Sequence, residues 1–350
     1  MGVFRSNIEA MDVYVPGAPA EEPGVVKLNQ NENPYPPSPK ALAVLREFAG
    51  QSLRLYPDPL ATVFCRAAGE VLGVPPERIL VGDGSDDLII MIARAALGPR
   101  RTMVTTDPTF PYYLTQAQVE GARVVAVAAR EDFSLPIEEM AATDAQVIFV
   151  AAPNSPTGAT ADAELLGWLA ARTSALVVID EAYVDFAEGD ALGLAARYSN
   201  VIILRTLSKG YSLAGLRLGF AVLNDRLRSG LLKTKSIYNV GPLPAAVGAA
   251  AIADRRYHRD CVGRIVAERA RLADELARRR FVVWPSAGNF LMAAPPGGDA
   301  KAVYEGLKAR RVLVRYFLTD RMRDKLRISI GTRQDNDTLL TALDEMRLEA

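Results

Sequence analysis

The sequence predicts an α/β fold, with a large domain whose mostly parallel sheet is sandwiched by helices. A smaller α+β domain from the C-terminal part and an extended N-terminal arm complete it. Three observations predict this. Short, fully apolar runs recur between about residues 79 and 222, of the kind that forms strands buried on both faces. Helix-prone stretches separate them, the alternation expected of parallel strands joined by helical crossovers. After residue 280 the texture changes and short strand-like runs are set among only two helical stretches. A length of 350 residues is too great for one small core and suits two domains.

Residues 1–39 read as the arm. They are rich in Pro, Asn and Glu, and the run Pro34-Tyr35-Pro36-Pro37-Ser38-Pro39 cannot be helix or central strand. An ordered arm of this kind packs either on the body of the protein or on a partner subunit. Helix resumes at Ser38–Phe48, and the large domain is expected over 40–255. Its strands are expected at 79–81, 102–105, 123–127, 147–150, 176–179, 201–204 and 218–222, with helices at 86–96, 110–120 and 161–172. A long helix-prone stretch covers 244–280. In the small domain, expected over 256–350, strands are predicted at 281–284, 289–293, 312–315 and 326–330, with helices at 300–310 and 336–348. There is no internal repeat and no low-complexity segment.

Composition narrows the function. Basic and acidic residues both number 41, so no bulk field favours nucleic acid or an anionic membrane, and neither is an expected partner. Anion binding must come from local placement of arginines. Two cysteines, Cys65 and Cys261, are too few and too far apart for a disulfide framework or a zinc site, and no metal is expected. The single histidine, His258, lies in an arginine-rich stretch that reads as solvated and argues against a Ser-His-Asp triad. No leader-like segment and no run of roughly 18 apolar residues is seen, so the expected location is cytoplasmic.

The chemistry-bearing residues cluster just past the apolar runs. Lys209, in Arg205-Thr206-Leu207-Ser208-Lys209, and Asp180, in Ile179-Asp180-Glu181-Ala182-Tyr183, would both reach the crevice at the carboxyl ends of parallel strands. A lone Lys and a lone carboxylate so placed are what pyridoxal phosphate chemistry needs: the Lys forms a Schiff base, and the carboxylate keeps the pyridine nitrogen protonated. Gly82-Asp83-Gly84-Ser85-Asp86-Asp87 joins a strand to a helix whose free N–H groups can take a phosphate. Pro108-Thr109-Phe110-Pro111-Tyr112-Tyr113 can offer an aromatic face to a flat ring. The turn Ala152-Pro153-Asn154-Ser155-Pro156-Thr157-Gly158 would present the Asn154 amide to the crevice, and Arg217 could clamp a phosphate.

With these residues in this order, the chain resembles the fold-type I pyridoxal-phosphate enzymes, the aspartate aminotransferase superfamily, over nearly its whole length. The resemblance implies that Lys209 carries the cofactor, that Asp180 pairs with the pyridine nitrogen, and that Tyr183 and Asn154 bond the ring hydroxyl. It implies a phosphate cup from the Ser85 and Asp86 amides, the Ser208 hydroxyl and Arg217, with Tyr113 as the stacking aromatic. Within the superfamily, Tyr14-Val15-Pro16-Gly17, Lys27 to Tyr35, Tyr56-Pro57-Asp58, Tyr238-Asn239-Val240, Val314-Arg315-Tyr316-Phe317 and Leu326 to Gly331 are similar to blocks of the histidinol-phosphate aminotransferases.

Such an enzyme takes two small-molecule substrates, histidinol phosphate and glutamate or 2-oxoglutarate. Arg327 would then grip either substrate anion and Arg315 would add charge for the phosphate ester. Tyr14, Asn33, Tyr238 and Asn289 would line the pocket. Tyr56 would reach the cofactor phosphate of the other subunit of a homodimer. An aromatic amino acid aminotransferase, a threonine-phosphate decarboxylase and a regulator's sensor domain stay open as alternatives, the last disfavoured by the absence of a preceding helix-turn-helix. Two departures stand out. Gly210 follows the Lys where Ala is usual, suggesting a looser loop, and Asp83 must point away from any bound phosphate.

Overall fold

The computed structural model describes residues 2–13, 23–48 and 53–348. A seven-stranded sheet runs in the spatial order Ile79–Asp83, Leu218–Val222, Val201–Thr206, Leu176–Asp180, Val147–Ala151, Thr102–Asp107, Arg123–Ala128. Leu218–Val222 is antiparallel to both its neighbours, and the strands from Val201–Thr206 outward to Arg123–Ala128 are mutually parallel. The expected strands are thus present, each within about two residues of its predicted ends.

The strands are apolar throughout because side chains alternate between two covered faces. Val177, Ile179, Val201 and Ile203 pack to one side with Phe64, Ala68, Ala245 and Ile252, from helices Thr62–Leu72 and Pro242–Ala253. Val178, Ile202 and Leu204 pack to the other with Leu88, Ile89 and Ile92 of helix Gly84–Ala96. Each such side chain, fully buried, contributes about 1.5–3 kcal/mol of transfer free energy. Because both faces are covered, polar strand residues concentrate at the carboxyl ends, and there the site lies.

The second sheet has four antiparallel strands, in the order Arg315–Tyr316, Leu326–Ser329, Phe290–Ala294, Val282–Trp284. Helices Arg255–Arg278, Ala300–Ala309 and Arg333–Glu345 cover it through Leu272, Leu276, Val303, Leu307, Leu339 and Leu343.

Several elements differ from expectation. The stretch predicted as one strand over 312–315 divides: Val312–Leu313 pairs in parallel with Val26–Lys27 of the arm, and Arg315–Tyr316 joins the four-stranded sheet. The arm therefore completes the small core, burying Leu28 there. The helical region predicted over 244–280 is two helices separated at Asp254, whose φ/ψ of −86°/58° is not helical. Near its start the arm is not extended but forms one helical turn, Ser6–Glu9. Arg5 and Asn7 dock it on the end of helix Tyr112–Val119 by donating to the carbonyls of Val119 and Gln118, both at 2.8 Å. His258 is not solvated: its ring stacks on Tyr211 (4.1 Å, 15°) and Nε2 lies 3.2 Å from Asp185. Among the described residues no helix is long and apolar enough to cross a membrane.

Candidate active site

Asp180 ends the central strand Leu176–Asp180 and forms the floor of a cavity of about 240 Å³. Burial pushes its carboxyl up to about 6, against the opposing pull of the Tyr113 hydroxyl (2.5 Å to Oδ2) and the Ala182 N–H (3.0 Å to Oδ1). Neither partner is a cation. A carboxylate buried this way needs a positive charge from the cavity side, and the protonated ring nitrogen of pyridoxal phosphate is such a charge.

Lys209 lies just past strand Val201–Thr206, next to the one that carries Asp180, so both reach the same cavity. Beneath these strand ends the buried Glu181 accepts from Arg205 Nε at 2.8 Å and pairs with its Nη2 at 2.7 Å, which ties the two strands together. Lys209 Nζ donates to the carbonyl of Gln30, in the arm, at 2.9 Å. Tyr183 closes the same wall. Burial raises its phenol, but the nearby Lys209 and Arg327 cations and hydrogen bonds from Asn31 and Ser155 bring it net below the ordinary tyrosine value.

At the other end a strand-to-helix turn makes an anion cradle. Helix Gly84–Ala96 points its first N–H groups at the cavity, and Ser85 and Asp86 line it. Two glycines make the close approach possible. A Cβ at Gly219 would stand 2.5 Å from the Ser85 nitrogen, and one at Gly84 would collide with the Arg217 guanidinium. Arg217 itself has a left-handed φ of +54°, and Nη2 pairs with Asp86 at 3.0 Å. Ser208 faces the cradle and takes a 2.9 Å hydrogen bond from the Thr206 hydroxyl. Asp83 is exposed and lies outside the cavity wall, as its charge requires. A helix N-terminus, an arginine and a hydroxyl around a gap no Cβ enters suit the phosphate of the same cofactor.

A second cavity of about 240 Å³ adjoins the first, sharing Gln30, Phe110, Ser155, Tyr183 and Lys209 as wall. Arg315 and Arg327 line it. Arg327 donates to Ser155 Oγ (2.9 Å) and the Asn29 carbonyl (2.8 Å).

Tyr113 lines the first cavity, with one face of its ring on Phe149 (4.7 Å, 9°) and its hydroxyl donating to Asp180. Phe110, three residues earlier and edge-on to Tyr113, is an aromatic that lines both cavities. Several expected residues stand elsewhere. Asn154 does not offer its amide to the crevice. It is fully buried, Nδ2 donates to the Pro108 carbonyl and Thr157 Oγ1 (both 2.9 Å), and Oδ1 accepts from Thr109 (2.7 Å).

Asn33 binds no cavity; Nδ2 donates to the carbonyls of Lys209 (3.0 Å) and Gly210 (3.2 Å), pinning the lysine loop to the arm. Asn289 is fully buried behind the site, donating to the Asn31 carbonyl at 3.0 Å. Tyr56 is 82 % exposed and stacks on Tyr238 (4.6 Å, 13°), away from both cavities. Tyr14 lies outside the described residues. At Gly210 a Cβ would collide with the Asp185 carboxylate, so the glycine lets Asp185 close over the chain.

Comparison with known proteins agrees with this geometry. The family aminotransferase class I and II matches residues 23–343. Histidinol-phosphate aminotransferase 1 of Trichormus variabilis is 48% identical over 98% of each chain. A histidinol-phosphate aminotransferase of a Geobacter species is 41% identical over 99% of each. The crystal structure of histidinol-phosphate aminotransferase from Sinorhizobium meliloti in complex with pyridoxal-5′-phosphate superposes with a TM-score of 0.91 at 26% identity, covering 99% of this chain and 97% of that one. A lysine and a buried carboxylate at adjacent strand ends, a glycine-lined anion cradle and a match over nine-tenths of the sequence have one reading: the chain belongs to the class I and II aminotransferases.

Proposed function

We propose that this protein transfers the amino group of L-histidinol phosphate to 2-oxoglutarate, giving imidazole-acetol phosphate and L-glutamate, a step of histidine biosynthesis in the cytoplasm. The cofactor is pyridoxal 5′-phosphate, which when bound supplies an electron sink for the charge left at the substrate carbon. The observation that carries the substrate assignment is the pair of arginines, Arg315 and Arg327, in a cavity that opens onto Lys209. One arginine suffices for an α-carboxylate; a phosphate monoester carries more charge and takes two.

Each residue then has a task. Lys209 holds the cofactor through Nζ and, once displaced, moves the proton from the substrate carbon as general base and acid. Asp180 keeps a positive charge opposite its carboxylate. Tyr183 donates to the cofactor's ring oxygen. The Ser85 and Asp86 amides, Ser208 and Arg217 hold the phosphate, Arg217 exchanging its Asp86 partner for it. Tyr113 and Phe110 are the aromatics that cover the ring. Arg315 and Arg327 hold the substrate anion far enough from Lys209 to leave the amine beside it.

The site is read as half of a homodimer. Tyr56 is exposed beside the exposed apolar side chains Leu53, Leu55, Val63 and Ile237, a surface suited to a second copy of the chain. Tyr56 would then complete the partner's phosphate cradle.

The deciding experiment is a single-turnover spectrum of the cofactor-loaded protein mixed in turn with histidinol phosphate, phenylalanine, tyrosine and threonine phosphate. Rapid loss of the visible cofactor band at low histidinol phosphate is expected, together with its complete absence in Lys209→Ala. Faster conversion by the aromatic amino acids, or carbon dioxide release from threonine phosphate, overturns the substrate assignment.

A further inference from the structure

Asn31 has no task in the function above, yet no part of it is exposed and its backbone holds a left-handed φ of +56°. Its amide orientation follows from proton accounting. The Asn31 backbone N–H donates to Ser329 Oγ at 2.8 Å, so the Ser329 hydroxyl proton is left to donate to Asn31 Oδ1, also at 2.8 Å. With Oδ1 fixed there, Nδ2 must face the other way, and it stands 3.0 Å from Tyr183 Oη. Asn289 braces the same turn through the Asn31 carbonyl.

A phenol oxygen has one proton and two acceptor positions. With the Asn31 amide donating to that oxygen, the Tyr183 proton must turn away from Asn31, and Tyr183 lines the cavity it shares with Lys209 and Asp180. Were Asn31 only filling a left-handed turn, its side chain would need no partner on Tyr183.

We infer that Asn31 is a positioning residue, which holds the Tyr183 hydroxyl as a donor aimed into the cavity. This rests on the reading that Tyr183 serves the cofactor. The arm thereby acts on the site through a side chain, beside the Gln30 carbonyl that holds Lys209 Nζ.

Asn31→Gly is the test, because glycine accepts the left-handed backbone while removing the amide. The cofactor-free protein, labelled at the tyrosine Cζ carbons, is titrated by nuclear magnetic resonance, with the Tyr183 signal identified by its absence in Tyr183→Phe. The Tyr183 midpoint should rise by about one unit in Asn31→Gly, the equivalent of one lost hydrogen bond. Asn31→Asp, which turns the donor into an acceptor, should raise it further. In the loaded protein the pH midpoint of the visible band should move upward as well, since a weaker donor leaves more negative charge on the ring oxygen to hold a proton on the Lys209 nitrogen.

A folded Asn31→Gly protein whose Tyr183 titrates as in the parent overturns the inference, and so does an unmoved visible midpoint. If either variant fails to fold, Ser329→Ala, which frees the Asn31 amide to rotate, must show the same upward Tyr183 shift. The titration of Tyr183 is read without substrate, so a failure of the histidinol phosphate assignment would leave its outcome untouched.

Discussion

Arg315 and Arg327 face each other directly across an antiparallel strand pair, and both guanidinium groups lie on one ring, at 5.6 and 5.8 Å from the centre of Phe317. Like charges in directly opposed positions destabilise a sheet. The ring face offsets part of that cost, and an anion held between the arginines would offset more.

The pair should therefore separate substrates by charge. Arg315→Ala is expected to lower kcat/KM for histidinol phosphate by about 10–100-fold, the loss of one charge-assisted bond. With phenylalanine, if it turns over at all, the loss should be under about threefold. Equal losses on the two substrates would show that Arg315 supports the fold near Phe317 and does not read the phosphate. Arg327→Ala should impair both substrates, since Arg327 also anchors Ser155 and the arm.

Asp180 gives a prediction in pH. Its folded value of about 6 stands above the ordinary 3.8, so between these values the folded cofactor-free protein binds more protons than the unfolded chain. Stability of the cofactor-free form must then fall as pH rises through that window and stay low above it. The full effect is on the order of 3 kcal/mol. Asp180→Asn removes the titration. The cofactor-free variant should melt higher than the parent at pH 8, and the advantage should shrink at pH 5, while its grip on the cofactor weakens at both. An identical pH dependence in parent and variant would place the titrating group elsewhere.

The sequence carried most of the seven-stranded sheet and the two groups at its carboxyl edge, and the reasons are physical. Strands covered on both faces must be apolar throughout, so their ends mark the crevice, and Lys209 and Asp180 fall there unambiguously. The misreadings arise where distant packing decides what a local pattern leaves open. Asn154 sits in the turn the sequence marks, but the Thr109 hydroxyl and the Pro108 carbonyl, far away in the chain, take its amide. Helix Thr62–Leu72 carries its own sequence signal: Phe64, Cys65, Ala68 and Leu72 recur on one face, and Asp58 accepts from the Thr62 N–H at 2.7 Å ahead of it. Asn31 had only the alternation Asn29, Asn31, Asn33 to mark it. An arm without hydrophobic period gives no face, and its partners are distant in sequence.

Tyr56 supports a test of shared sites that needs no further structure. If Tyr56 serves its partner, mixed dimers of Lys209→Ala and Tyr56→Ala contain one site with both a native lysine and a native tyrosine. Mixing the two variants under exchange conditions should recover activity well above the sum of the separate proteins, approaching half the parent's rate in the mixed species. Should Tyr56 act within its own chain, no mixed site is complete and mixing recovers nothing. Sedimentation should show a dimer in the parent. Tyr238→Ala, which removes the ring stacked on Tyr56, should weaken cofactor retention more than it weakens association.

Gly210 and Asp185 should prove mutually dependent. The glycine's empty side holds the Asp185 carboxylate, whose other contact is His258, itself stacked on Tyr211. Gly210→Ala must push the carboxylate away or shift the loop that bears Lys209. Overpacking of this kind costs about 1–3 kcal/mol, so the melting temperature should drop by several degrees. Asp185→Ala makes room for the methyl group but leaves His258 without its partner, a loss of about 1 kcal/mol. The double variant should therefore be more stable than Gly210→Ala alone, giving a coupling energy of opposite sign to the two single losses. Additive losses in thermal unfolding would mean that the loop, not Asp185, yields to the added methyl group. Cofactor retention in Gly210→Ala should then fall with stability, because the shifted segment is the one that carries Lys209.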